Sequence, residues 1–169
     1  MLGIACLGAT IAGLYGVIHD QITYSISAEY FTRLKFIQFR WADIGLPTRA
    51  FVAEIGFLAT WWVGFIAGWV LARIMDPVAG TRAMLVLAIR GFIIVMGFAA
   101  AAAGAAFAYG LTQNPQPQTS GLASLAAAIG VSDAPAFVRV AYIHNAGYLG
   151  GLLGIVTAAM LLRRKVRRS

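Results

Sequence analysis

GFIIVMGFAAAAAGAAFAYGL, residues 91–111, runs for 21 positions without a charged side chain. Crossing the hydrocarbon of a bilayer takes about 20 consecutive, mostly apolar residues in a helix. A helix closes its backbone hydrogen bonds internally, which lipid demands. The run does not alternate as a barrel strand would. It therefore reads as a membrane-spanning helix, entered from about residue 83.

Three further runs extend the pattern. MLGIACLGATIAGLYGVIH covers residues 1–19, and FVAEIGFLATWWVGFIAGWVLA lies within residues 50–72. The last occupies 136–162 and stops ahead of RRKVRR. The whole chain of 169 residues is 60% hydrophobic and 11% charged, with a mean hydropathy of +0.80. Soluble domains carry roughly 25% charged residues, so a water-soluble fold is excluded. The expected fold is all-α: a four-helix transmembrane bundle forming a single domain over 1–169, with helices at about 1–19, 50–72, 83–111 and 136–162.

Lys and Arg set the orientation. With the N-terminus inside, Arg73, Arg82, Arg90 and the tail Arg163, Arg164, Lys165, Arg167 and Arg168 fall on the cytoplasmic side. Of the six acidic residues only Asp76 joins them. Both termini are therefore expected inside, and the location expected is a bacterial cytoplasmic (inner) membrane, crossed several times. The net charge of +7 serves topology and attraction to anionic head groups. No soluble basic domain exists to bind nucleic acid. The first helix lacks a basic start and an A-x-A-like end, so it does not read as a cleaved signal peptide. Cys6 is the single cysteine, which excludes an intramolecular disulfide.

Between the first two spans, SAEYFTRLKFIQFRW predicts an extracytoplasmic amphipathic helix at about 28–41. Tyr30, Leu34, Ile37 and Trp41 recur at helical spacing, while Arg33 and Arg40 suit head groups. Ser27 is its expected cap, Thr48 that of the second span, and Ser132 or Asp133 that of the fourth. A short helix is expected around 122–129, and Asp76, Pro77 and Gly80 mark the inner turn. Small residues repeat every four positions at Gly8, Ala12 and Gly16, at Ala100, Gly104 and Ala108, and at Gly147 and Gly151, with Ala146, Gly150 and Gly154 beside them. Such faces let helices approach closely in lipid, so they predict the packing faces, with Trp61, Trp62 and Trp69 as packing residues.

In this topology His19, Asp20, Glu29, Glu54 and His144 converge on the outer third of the bundle. His19 and His144 share the small-residue faces of their helices, and both are expected to point inward. A carboxylate at membrane depth faces an interior or a cavity, so Glu54 calls for a partner: a histidine, Arg49, Arg139 or a metal. Two imidazoles with several carboxylates suit a divalent transition metal such as Zn, Fe, Cu or Mn. Gln21, Tyr30, Asn145 and Tyr148 stand as the residues around these ligands. No local motif such as H-E-x-x-H is present, and no order of residues names a catalytic nucleophile. The bland alternative is an interfacial helix end at His19–Asp20 with hydrogen-bond glue at His144. A haem held by the two histidines fits less well, because acidic neighbours suit an ion better than a porphyrin.

The run YGVIHDQITYSISAEYFT, followed by FLATWWVGFIAGWVLA, resembles a group of small bacterial integral membrane proteins with an HDQ…EYFT block and a TWWVG block. The resemblance covers the first 75 residues or so. It implies the fold and the location, and no activity. Beside the metal site stands a second class, an accessory or assembly subunit docking onto a membrane-protein partner or forming a homo-oligomer. A channel or transporter ranks last, because the inner half offers only Arg73 and Arg90 as ionisable groups.

Overall fold

A computed structural model describes residues 1–75 and 81–166. The turn residues Asp76, Pro77 and Gly80 and the tail residues Arg167 and Arg168 lie outside the described residues. Among those described, all regular structure is helical. Helix α1 spans Leu2–Ile26, and the short α2 covers 28–38. Then come α3 (Thr48–Met75), α4 (Thr81–Leu111), α5 (Gly121–Ala128) and α6 (Ala134–Val166). Four of them, α1, α3, α4 and α6, are long and apolar enough to cross a membrane.

The first helix does not end at His19. It continues to Ile26, where Ser27 turns extended (φ −146°, ψ 99°) and caps the next segment by accepting from the Tyr30 amide. A polar residue does not stop a helix, whose backbone ladder ends only at a cap. Thr48 opens α3, but the carbonyl that receives its first amides belongs to Pro47. Asp133, rather than Ser132, caps α6 by accepting from the Ala136 amide at 3.0 Å. The α2 segment is irregular: one α-turn at Ala28–Tyr30, a π-turn at Phe31–Lys35, and another α-turn at Phe36–Gln38.

Glycine decides how the spans pair. Along α1, Gly8 and Gly16 meet Gly64 and Gly56 of α3 so closely that a methyl group on any of the four would strike the opposing backbone. Thr60 joins this seam, its hydroxyl lying 2.7 Å from the Ala12 carbonyl. On the other side, α4 and α6 approach at Gly150 and Gly154, which face the backbone of Phe98, Ala99 and Val95. The bundle is therefore two tight pairs, α1/α3 and α4/α6, apposed less closely.

Two apolar clusters join the pairs. One, at the end holding the α1 C-terminus, is built on Phe31, Val52, Phe137 and Val138. The other, at the opposite end, includes Leu71, Met75, Phe92 and Leu162. Two expectations fail here. Ala100, Gly104 and Ala108 are exposed, not a packing face, and a methyl group on Gly104 would meet nothing within 4 Å. An alanine-rich helix has small residues on every side, and only the side with a partner glycine can pack. Trp61, Trp62 and Trp69 are 40%, 50% and 53% exposed, so they lie on the outer surface of α3 instead of in its packing face. The two stripe residues Ile37 and Trp41 are also exposed, at 69% and 75%.

Candidate functional site

Asp20 stands four residues beyond Gly16, which puts it on the α1 seam with Gly8 and Ala12. It is 3% exposed. His19, one position earlier, is rotated by about 100° and is only half-buried. His144 of α6 is 6% exposed and meets both residues from the opposing pair. Its Nε2 lies 3.8 Å from Asp20 Oδ1, and its ring stands edge-on to His19 with centroids 4.9 Å apart. One potential ligand atom from each of His19, Asp20 and His144 falls within 4.8 Å of the others.

Aromatic rings hold the imidazoles. Tyr15, one turn below His19, stacks on it at 5.5 Å and 24°. Tyr30 stacks on His144 at 5.0 Å and 27°, and Phe31 approaches His144 edge-on at 6.2 Å. The Thr23 hydroxyl sits 3.3 Å from His144 Nε2 and 3.1 Å from the His19 carbonyl. Asp20 Oδ2 has no hydrogen-bond partner although it is buried. A buried carboxylate oxygen left unpaired costs about 1–3 kcal/mol or more. This site therefore has an unmet demand for a donor or a cation.

Above the cluster, α2 brings Lys35. Its Nζ lies 5.9 Å from the Tyr30 ring centroid and 5.7 Å from that of Phe39. Burial lowers the Lys35 pKa, and the Asp20 charge raises it in part. Burial, followed by the Asp20 charge, raises the pKa of the Tyr30 hydroxyl. Lys35, Thr23 and Tyr15 are the site residues that sequence reasoning missed. Lys35 closes the π-turn Phe31–Lys35, so no regular helical spacing pointed to it.

The remaining candidates are placed elsewhere. Glu29 takes the amides of Ser132 at 2.9 Å and Asp133 at 2.9 Å, so it serves the N-terminus of α6. These bonds hold its pKa below the usual carboxylate value. Glu54 is outside the cluster, and its Oε2 is buried without a partner. Neither proposed arginine neutralises it within salt-bridge range among the described residues. Arg49 instead donates to Gln21 Oε1 at 3.1 Å and Ser25 Oγ at 3.2 Å. Gln21 returns a bond to the Arg49 carbonyl, so it fastens α1 to α3 and not a ligand. Asn145 is exposed. Tyr148, 44% exposed, reaches the wall of the space below the cluster.

That space is a cavity of about 90 Å³ between the two helix pairs. Asp20, His19 and His144 line one end, and residues such as Gly8, Ala67, Phe92 and Ile155 line the other. No protein-family model matches the chain, nor does any curated protein or solved structure.

Proposed function

We propose that this is a multi-pass membrane protein whose His19, Asp20 and His144 bind one divalent transition metal near the extracytoplasmic face. The observation that carries the reading is the convergence of two imidazoles on a buried carboxylate that still has an unpaired oxygen. Ligand bonds of about 2.0–2.2 Å in a tetrahedral site put ligand atoms roughly 3.4 Å apart. The spread of 4.8 Å is closed by small side-chain rotations, with His144 Nε2 exchanging Thr23 for the ion. Three protein ligands leave coordination positions open, which suits Zn²⁺, and a set of two histidines and one carboxylate also suits Fe²⁺. Tyr15 and Tyr30 would hold the rings by stacking.

The same proposal includes the topology. Both termini lie in the cytoplasm of a bacterial inner membrane, and α2 lies at the outer interface with Ile37 and Trp41 toward lipid. Support comes from the Lys and Arg distribution and from the exposure of those two side chains. The membership suggested by the HDQ…EYFT and TWWVG blocks belongs to this reading too.

Cobalt tests the site, because Co²⁺ replaces Zn²⁺ or Fe²⁺ and absorbs in the visible. Titrating purified protein with Co²⁺ gives a saturating absorption band at one ion per chain. His144→Ala and Asp20→Asn abolish the band, while Glu29→Gln and Glu54→Gln leave it unchanged. A band that survives His144→Ala removes the site. One observation favours a metal-free alternative: the Lys35 ammonium stands 5.9 Å from the centroid of the Tyr30 ring that stacks on His144, so a positive charge already lies beside the cluster. In that case Lys35→Met destabilises the fold and no cobalt band forms; a metal site predicts tighter Co²⁺ binding in Lys35→Met, because a nearby positive charge is gone.

A further inference from the structure

Two spaces touch the cluster, and one of them touches all of it. A groove between α1 and α4 is lined by His19 but not by Asp20 or His144. The cavity between the helix pairs is lined by His19, Asp20 and His144 together. The opposite flank is filled. Tyr30 covers the His144 ring at 5.0 Å, and Phe31 and Phe137 pack against Tyr30 at 5.7 and 5.2 Å. A coordination position that the protein leaves vacant therefore opens into the cavity. We infer that this position takes an uncharged diatomic gas, bound to ferrous iron between His19, Asp20 and His144. The inference rests on the metal site proposed above and names its ligand.

Size, charge and polarity of the cavity select that class. Its volume of about 90 Å³ holds about three molecules the size of water, at roughly 30 Å³ each. It falls well short of the 300 Å³ or so at which pockets begin to suit larger organic ligands. Among the described residues no lysine or arginine lines it, and Asp20 is its one acid. An anion would therefore be buried beside a carboxylate with no cationic side chain to pair it. Water in such a space needs about 2–4 polar partners. Beyond the cluster, the polar side chains on the wall are Tyr15, Thr60 and Tyr148, and the Thr60 hydroxyl is already 2.7 Å from the Ala12 carbonyl. Ile11, Val95, Met96 and Ile155 make the far end apolar, and apolar cavities stay dry and accept small apolar molecules. Iron follows from the ligand. Two imidazoles and one carboxylate with open positions are the set that non-haem ferrous iron uses for such gases, whereas Zn²⁺ has no redox chemistry with which to hold them.

The test loads the full-length protein in lipid nanodiscs with Fe²⁺ under anaerobic conditions, removes unbound iron, and titrates with nitric oxide as probe. Ferrous iron that takes up this gas gains an electron paramagnetic resonance signal, which should saturate at one per chain. Gly147 stands one turn beyond His144 on the same face of α6 and lines the cavity. A methyl group there would meet only the Ala103 Cβ, at 4.0 Å. Gly147→Val therefore fills space beside the ion without striking backbone, and it raises the nitric oxide concentration at half-saturation about tenfold. Ala59→Leu, on the wall that α3 contributes, is the second variant with the same expectation. Both keep the Co²⁺ band; should Gly147→Val lose it, Ala59→Leu decides. Azide, an anion that coordinates cobalt where water reaches it, leaves the wild-type Co²⁺ band unshifted. Equal half-saturation in wild type and the variants, or a Co²⁺ band that azide shifts, overturns the inference. A Co²⁺ band without a nitric oxide signal overturns it and leaves the metal site standing. No Co²⁺ band in wild type removes the metal site and the inference together.

Discussion

Gly56→Ala probes the seam that positions Asp20. An added methyl group at this position would strike the Gly16 carbonyl oxygen, lie 2.6 Å from the Gly16 carbonyl carbon and 3.0 Å from the Val17 nitrogen. Ordinary contacts of this kind are 3.4–4 Å, so α1 and α3 must part by about 1 Å at that level, losing dispersion contacts along the seam. Overpacking of this type costs about 1–3 kcal/mol. The alanine recovers about 1 kcal/mol of helix propensity, leaving a net loss of about 0–2 kcal/mol against wild type and about 1–3 kcal/mol against Gly104→Ala. Gly104→Ala carries the same propensity gain with no clash, because nothing stands within 4 Å. Reversible unfolding in mixed detergent micelles, followed by far-ultraviolet circular dichroism, measures both. The expected order is Gly104→Ala at or above wild type and Gly56→Ala clearly below Gly104→Ala, with weakened Co²⁺ binding because Asp20 rides on the helix that Gly56 faces. Equal stabilities for the two variants would refute the glycine seam.

Glu29→Gln removes the charge that receives the Ser132 and Asp133 amides. Because the folded pKa of Glu29 is lowered, its contribution is present above the unfolded carboxylate pKa and lost as pH falls through the folded value. Wild type should therefore lose melting temperature below the ordinary carboxylate range more steeply than Glu29→Gln, and parallel pH profiles would contradict this. Arg49→Ala deletes the bonds to Gln21 and Ser25 and the contact with the Tyr24 ring at 5.0 Å. These are exposed groups, so a loss of about 1 kcal/mol is expected in the same unfolding assay. A loss several times larger would mean that this latch organises the core. In a Cys6→Ser background, Gln118→Cys in the loop before α5 should react with an impermeant maleimide on intact cells. Arg82→Cys should react only after the membrane is opened. The reverse pattern inverts the topology.

The four long apolar helices were legible because each carries an extended, mostly apolar run, and 91–111 has no charged side chain at all. The cap at Ser27 was legible, and that of α6 narrowed to Ser132 or Asp133, because a short polar side chain precedes each helix. The site was legible as residue types and much less so as geometry. His19 and Asp20 differ by a single position, and whether spacing of three or four from Gly16 faces the partner depends on which helix face α3 covers. The partner of Glu29 lies 103 residues away, beyond any local pattern. Lys35 was hidden among arginines that suit head groups, and only the fold of α2 over the cluster brings it near Asp20.

The most direct measurement of the central claim is elemental mass spectrometry on untagged protein, purified in mild detergent without chelator, beside His144→Ala prepared in the same way. One equivalent of zinc, iron, copper or manganese per wild-type chain, falling to background in His144→Ala, is the predicted result. Background metal in wild type, or the same metal content in both, would contradict a site built from His19, Asp20 and His144.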